Sequence, residues 1–233
     1  MSGSSTKPIV KESSSSSTSS PDISTGSVEG VAYYHCPATT PQSGVIHNIV
    51  LLHGKAFTKE NWKESGILQQ FCAVDSIQVT ALDLNVKVDA KELQKMLTAL
   101  SAANLVTSLP ITALVTPSAS GSAVVDWMQS SDAATSLPQM VSTWIPVASN
   151  SLLNVQDTTT IAAMKDWPSF HILAIYGDQD GPGKESSQLL GNLAGATVQE
   201  LPGKHPVYLD SPDAFVTTIL RQLKISKHES DEH

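Results

Sequence analysis

The chain has 233 residues, 40% of them hydrophobic, which is enough for one sizeable core and short for two domains. Its 14 basic against 22 acidic residues give a net charge of −8, without the cluster of Lys and Arg that a nucleic-acid backbone or an anionic membrane requires. No apolar run is long enough to span a bilayer, and the N-terminus lacks the apolar stretch of a signal peptide. Cys36 and Cys72 are too few and too far apart in sequence for a disulfide framework or a zinc site. They read as buried free thiols of a reducing compartment. Together these features predict a soluble intracellular protein, cytoplasmic with a nuclear location also open, that holds no metal.

Residues 1–27 are dominated by serine, including the unbroken run Ser13 to Ser17, and have too little apolar surface to offset the entropy of ordering them. They are expected to be disordered. A phosphorylated tail or an organelle transit peptide both suit such a stretch, and its lack of arginine counts against the second. Residues 28–226 are then the folded domain, and residues 227–233, with His228 and His233, form a polar C-terminal tail. Within the domain, short β-branched runs at 31–35, 48–52, 78–82, 111–115, 143–147, 171–176 and 197–201 read as strands. Several are apolar on successive residues, as expected of strands covered on both faces. Helical patterns fall between them. Asp89 opens one with a capping box to Glu92, followed by Leu93, Met96, Leu97 and Leu100 on one face. Ser211-Pro212-Asp213 opens another with an N-cap and a proline in the first turn, and its stripe is Phe215, Val216, Ile219, Leu220 and Leu223. A further helix spans 158–167. Strand–helix alternation predicts an α/β fold, a mostly parallel central sheet flanked by helices, with its sites at the carboxyl ends of the strands.

Four of those strand ends carry chemistry. Strand 111–115 runs into Thr116-Pro117-Ser118-Ala119-Ser120-Gly121 and then a helical stretch. A nucleophile elbow needs a serine on a sharp strand-to-helix turn with small flanks, usually glycines; here Thr116 and Ser120 stand in the glycine positions. A serine-rich loop is the plain alternative. After strand 48–52, the His53-Gly54 turn brings the backbone N–H groups of Lys55 and Ala56 forward as oxyanion donors, to be paired with the Ala119 N–H, while His53 reads as structural. Strand 171–176 ends in Gly177-Asp178-Gln179-Asp180; Asp180 is the candidate to orient a histidine, and Asp178 reads as a turn residue bonding its own backbone. Strand 197–201 ends in Pro202-Gly203-Lys204-His205, and His205 is the candidate general base. His35, His47 and His171 lie within or before strands and lack that placement. Gly181-Pro182-Gly183-Lys184-Glu185 has the wrong spacing for a phosphate loop. Each signal alone has a bland reading. Their chain order of Ser, Asp, His after an upstream oxyanion turn is the α/β-hydrolase order.

Those residues, with Phe57, Trp62, Pro146-Val147-Ala148 and His205-Pro206-Val207-Tyr208-Leu209-Asp210, resemble the α/β-hydrolase-domain-14 family over about residues 31 to 223. The family's serine, aspartate and histidine fall on Ser118, Asp180 and His205, and its elbow is flanked by serine rather than glycine. The chain departs from the family at Thr116, where serine is usual, and at Asp83-Leu84-Asn85-Val86-Lys87-Val88, which lacks proline and glycine. The resemblance implies short-chain ester hydrolysis or lysine deacetylation without a cofactor, and a transcription-factor partner, the largest subunit of TFIID.

The expected activity is acyl transfer on a small acyl ester or an acylated protein side chain. Only about two dozen residues connect strand 143–147 to strand 171–176, so a substantial lid has no room and the site should be open and shallow. The alternative is a fold-retaining interaction module that binds a transcription or scaffold partner. A cofactor-free haloperoxidase or a dehalogenase is a third reading, and a serine at the elbow speaks against the dehalogenase, which needs a carboxylate there.

Overall fold

The inner strands are continuously apolar because helices cover both of their faces. A computed structural model describes residues 22–39 and 44–225. Eight strands lie among them: β1 (Ser24–Val28), β2 (Val31–Cys36), β3 (His47–Leu51), β4 (Ile77–Leu82), β5 (Ile111–Pro117), β6 (Val141–Val147), β7 (His171–Gly177) and β8 (Thr197–Leu201). They form one sheet in the order β1-β2-β4-β3-β5-β6-β7-β8, in which β2 runs antiparallel to β1 and β4 and the remaining pairs are parallel. The helices are α1 (Glu60–Glu64), α2 (Ile67–Cys72), α3 (Ala90–Ala102), α4 (Ser122–Met128), α5 (Ala133–Met140), α6 (Thr159–Ala163), α7 (Gly181–Ala194), α8 (Val207–Asp210) and α9 (Pro212–Gln222).

Period-two alternation sends neighbouring strand residues into two separate cores. Val50, Leu114, Trp144 and Ala174 pack with Leu93 of α3, Val124 of α4 and Leu190 of α7. Leu51, Val115, Ile145 and Ile175 pack with Phe71 of α2 and Phe215 and Ile219 of α9. On α3 the expected capping box is present: Asp89 Oδ1 accepts the Glu92 N–H at 2.9 Å, and Glu92 Oε2 accepts the Asp89 N–H at 3.2 Å. At α9 the expectation fails in part. The helix and its stripe are there, but the Ser211 hydroxyl donates to the Pro202 carbonyl at 2.7 Å instead of capping.

The N-terminal boundary also needs correction. Strand β1 lies inside the stretch expected to be disordered. It carries little apolar surface and is held by its pairing with β2 across the two-residue turn Glu29-Gly30, both at positive φ (50° and 77°), a type I′-like geometry that matches strand twist. Residues 1–21 and the C-terminal tail lie outside the described residues. Cys36 and Cys72 are free thiols, as expected, but the fold brings the end of β2 against the end of α2. The two side chains are hydrogen-bonded, which holds the Cys36 thiol below its ordinary pKa. No helix among the described residues is long and apolar enough to cross a membrane.

Between β5 and β6 a buried polar contact stands out. The indole Nε1–H of Trp144 donates to Thr116 Oγ1 at 2.8 Å, with both residues fully buried. A Thr116→Val substitution keeps the shape and strands the indole donor, so the unfolding free energy in urea titrations is expected to drop by about 1–3 kcal/mol. Asp89→Ala, which removes the α3 cap, is expected to lower it by about 1 kcal/mol in the same titration.

Candidate active site

The chain leaves β3 toward β4 on one side of the sheet and returns to β5 on the other, so the carboxyl ends of β3 and β5 open a crevice at the point of reversal. Ser118 stands there, one residue past β5, at φ +51°. This left-handed conformation is rare for a residue with a side chain and turns the chain from strand into helix. A 3₁₀ turn over Ser118–Gly121 precedes α4. Each position of the elbow is held locally. Thr116 is fixed by Trp144, its carbonyl accepts the Ser149 hydroxyl at 3.3 Å, and the Ser120 hydroxyl donates to the Pro117 carbonyl at 2.9 Å. The Ser122 hydroxyl donates to the Ala119 carbonyl at 2.8 Å. The indispensable small residue is Gly121, one position beyond the expected one. A Cβ on Gly121 would overlap the side chain of Ser149.

Ser118, Asp180 and His205 meet in one hydrogen-bonded line. The Ser118 hydroxyl lies 2.8 Å from His205 Nε2, and His205 Nδ1 lies 2.7 Å from Asp180 Oδ2. With the proton on Nδ1, the ring donates to the carboxylate and accepts from the serine. The Asp180 side chain is 6% exposed and that of His205 39%, so the carboxylate is shielded while the imidazole faces the open side. Asp180 is the N-cap of α7, and its Oδ1 accepts the Gly183 N–H at 3.2 Å. A Cβ on Gly183 would run into that carboxylate.

Asp178 does not bond its own turn. Its Oδ1 accepts the Gly203 N–H at 2.8 Å, while the Gln179 N–H donates to the Gly203 carbonyl at 2.9 Å. Asp210 Oδ2 accepts the Lys204 N–H at 2.6 Å. Two carboxylates thus clamp the loop that carries His205. The other histidines lie elsewhere. His35 is buried in β2 beside Thr80, where desolvation lowers its pKa, and His171 is exposed at the amino end of β7, opposite the site. His228 and His233 lie outside the described residues.

A cavity of about 140 Å³ sits over Ser118 and His205. Lys55 and Ala56 line it, and their backbone N–H groups have no partner among the described residues. The Ala119 N–H, in the first turn of a helix, is one of the donors that a helix leaves unpaired. The walls are Phe57, Pro117, Val147, Pro206 and Tyr208. Sequence reasoning assigned no part to this apolar lining, because only the fold brings the β3, β5, β6 and β8 ends together. Tyr208 is stacked on Trp62 at 4.6 Å, and burial pushes its phenol well above the ordinary value. Among the described residues no three His, Cys, Asp or Glu side chains form a metal site.

No family model matches the chain. It is 30% identical over 203 residues to the Pongo abelii protein named "Putative protein-lysine deacylase ABHD14B", covering 83% of this chain and 90% of that one. The Rattus norvegicus protein of the same name is 28% identical over 184 residues, covering 74% and 81%. Among solved structures, a CIB-like hydrolase from Thermoplasma acidophilum matches with a TM-score of 0.62 at 20% identity, over 88% of this chain and 98% of that one. An α/β-hydrolase enzyme from a lagoon-sediment metagenome matches with a TM-score of 0.60 at 14% identity, over 86% and 98%. Strand order, crossover pattern and sequence likeness agree, and the chain belongs to the α/β-hydrolase-domain-14 family and has the α/β-hydrolase fold.

Proposed function

We propose that the protein is a serine hydrolase that transfers short acyl groups, with Ser118 as nucleophile, His205 as general base and Asp180 as the group that orients and stabilises the imidazole. The observation that carries this reading is the unbroken line Ser118 Oγ–His205 Nε2, 2.8 Å, and His205 Nδ1–Asp180 Oδ2, 2.7 Å. The fold alone could exist without it.

In this reading His205 takes the hydroxyl proton as Ser118 attacks a carbonyl carbon. The negative charge that develops on the carbonyl oxygen is met by backbone N–H groups, Ala119 on one side and Lys55 or Ala56 on the other. His205 then returns the proton to the leaving group, and the acyl-enzyme is discharged by water or a second acceptor. A cavity of about 140 Å³ is well below the ~300 Å³ at which drug-sized pockets begin, which favours a short acyl chain. Its apolar walls suit such a chain. The open rim suits a bulky leaving group that stays outside, such as an ester alcohol or the lysine of a protein substrate. The name of the curated relatives, a protein-lysine deacylase, points in the same direction. A transcription-factor partner belongs to this proposal through the family resemblance alone.

Labelling with a fluorophosphonate probe tests the nucleophile. Wild-type protein is expected to be labelled and Ser118→Ala to be silent; an unlabelled, folded wild type would sink the reading. A second variant tests the geometry. Gly183→Ala leaves the three side chains in place in the sequence but pushes on the Asp180 carboxylate, and kcat for a short-chain ester is expected to fall by roughly 10- to 100-fold.

A further inference from the structure

Cys36 is the last residue of β2 and Cys72 the last of α2, and two contacts tie the chain together there. The Cys72 thiol donates a hydrogen bond to the Cys36 sulfur. Three residues further along each segment, the Thr39 hydroxyl donates to Asp75 Oδ1 at 2.6 Å. The two segments therefore leave their elements side by side and in register, with the sulfurs turned toward each other. Sheet pairing fixes one side, because Cys36 lies opposite Val79 of β4. Packing fixes the other, because Cys72 rests on the core cluster that contains Cys36, Val79 and Phe71. β2 is antiparallel to β4, so this end of it lies toward the amino end of β4, away from Ser118.

The two sulfurs are not equivalent. Cys36 is 3% exposed and Cys72 is half-buried, so a small reagent reaches the pair from the Cys72 side. The hydrogen bond from Cys72 favours the thiolate of Cys36, against the opposing effects of burial and of the Asp22 carboxylate, and the same bond holds the proton on Cys72. Cys36 is thus the sulfur that ionises first, and Cys72 stands beside it as a resolving thiol. With hydrogen peroxide the steps balance. The Cys36 thiolate attacks one peroxide oxygen, the O–O bond breaks, and with one proton taken up the products are a Cys36 sulfenic acid and water. The Cys72 sulfur then attacks the Cys36 sulfur; the S–S bond forms, the S–O bond breaks, and the hydroxyl leaves with the Cys72 proton as a second water. Two thiols lose two electrons and the peroxide gains them. Both cysteines end their elements, so the backbone has room to draw a hydrogen-bonded contact in to a bond of about 2.05 Å.

We propose that Cys36 and Cys72 are a redox modification site: hydrogen peroxide joins them in a disulfide that small thiols reverse, stapling the end of β2 to the end of α2. The bond closes a ring over residues 37–71, which contains β3, the turn from Gly54 to Phe57 and α1. Closing that ring restricts the unfolded chain and so stabilises the folded one. Ser118, Asp180 and His205 all lie outside it. The proposal is independent of the serine-hydrolase reading and stands or falls without it.

The test treats the full chain with hydrogen peroxide and counts thiols in denaturant with a chromogenic aryl disulfide before treatment, after it, and after dithiothreitol. Wild type is expected to pass from two thiols to none and back to two, while running as a single chain on a non-reducing gel. Peptide mapping by mass spectrometry places the bond between the peptides that carry Cys36 and Cys72. The oxidised protein is expected to melt about 5–10 °C above the reduced one. Cys72→Ser keeps the buried sulfur but lacks its resolving partner, and its remaining thiol is expected to be lost to sulfinic or sulfonic acid that dithiothreitol does not restore. Two thiols that survive peroxide in the wild type overturn the proposal. So do an irreversible loss, cross-linking between chains, or a melting temperature that does not rise. If Cys72→Ser fails to fold, the wild-type counts decide alone, because with two cysteines in the chain a reversible loss of both within one molecule has no other source.

Discussion

A serine held at φ +51° costs on the order of 1–3 kcal/mol against relaxed backbone, and the turn at Ser118 persists because its surroundings leave the chain no other path. β5 and β6 remain in register up to Pro117 and Val147, so the strand cannot end earlier. Beyond it, α4 must pack at once on the core through Ala123, Val124 and Trp127. The reversal has to fit into the residues between, and hydroxyl groups rather than glycines secure it. Ser120, Ser122 and Ser149 each donate to a backbone carbonyl of the elbow or the strand end before it. The familiar glycine flanks give room for close approach. In this chain only Gly121 is needed for that purpose, against Ser149. Thr116 replaces room with a bond, because its β-branched side chain is an acceptor for the indole of Trp144.

The loop bearing His205 follows the same logic of borrowed rigidity. It has no regular structure, yet its Gly203 and Lys204 amides are held by Asp178 and Asp210, and the preceding Pro202 carbonyl by Ser211. Gly177 and Gly203 bring the β7 and β8 ends so close that a Cβ on Gly177 would overlap the Gly203 carbonyl. Asp180 is placed by its helix, as the N-cap of α7, so its carboxylate serves one helical N–H and one imidazole together. Strand end, helix cap and clamped loop each deliver one side chain, and the turn that carries Asp180 also clamps the loop that carries His205 through Asp178 and Gln179.

Much of this could be read from residues alone because it follows from periodicity. Seven of the eight strands, the α3 capping box and the order Ser118, Asp180, His205 are all local patterns. What stayed hidden depends on partners distant in sequence. Ser24–Val28 has no apolar signature and becomes a strand only because β2 offers an edge. Asp178 looks like any residue of a Gly-Asp turn, and only the arrival of Gly203, 25 residues later, gives it a different task. Ser211 stands where a cap belongs, but the Pro202 carbonyl competes successfully for its hydroxyl. The cysteines are half the length of a small domain apart along the chain and adjacent in space. The cavity walls come from four strand ends, a convergence no window of sequence contains.

The connection from β6 to β7 is spent on structure. Leu152, Ile161, Met164 and Trp167 are all buried in the core beneath it, so the segment is a wall and not a cover. On the mechanism proposed, water reaches the acyl-enzyme from the open side that His205 faces, and any second acceptor competes with it by binding at the rim. The partition between hydrolysis and transfer is then set outside the pocket, by how well the rim concentrates the competing nucleophile.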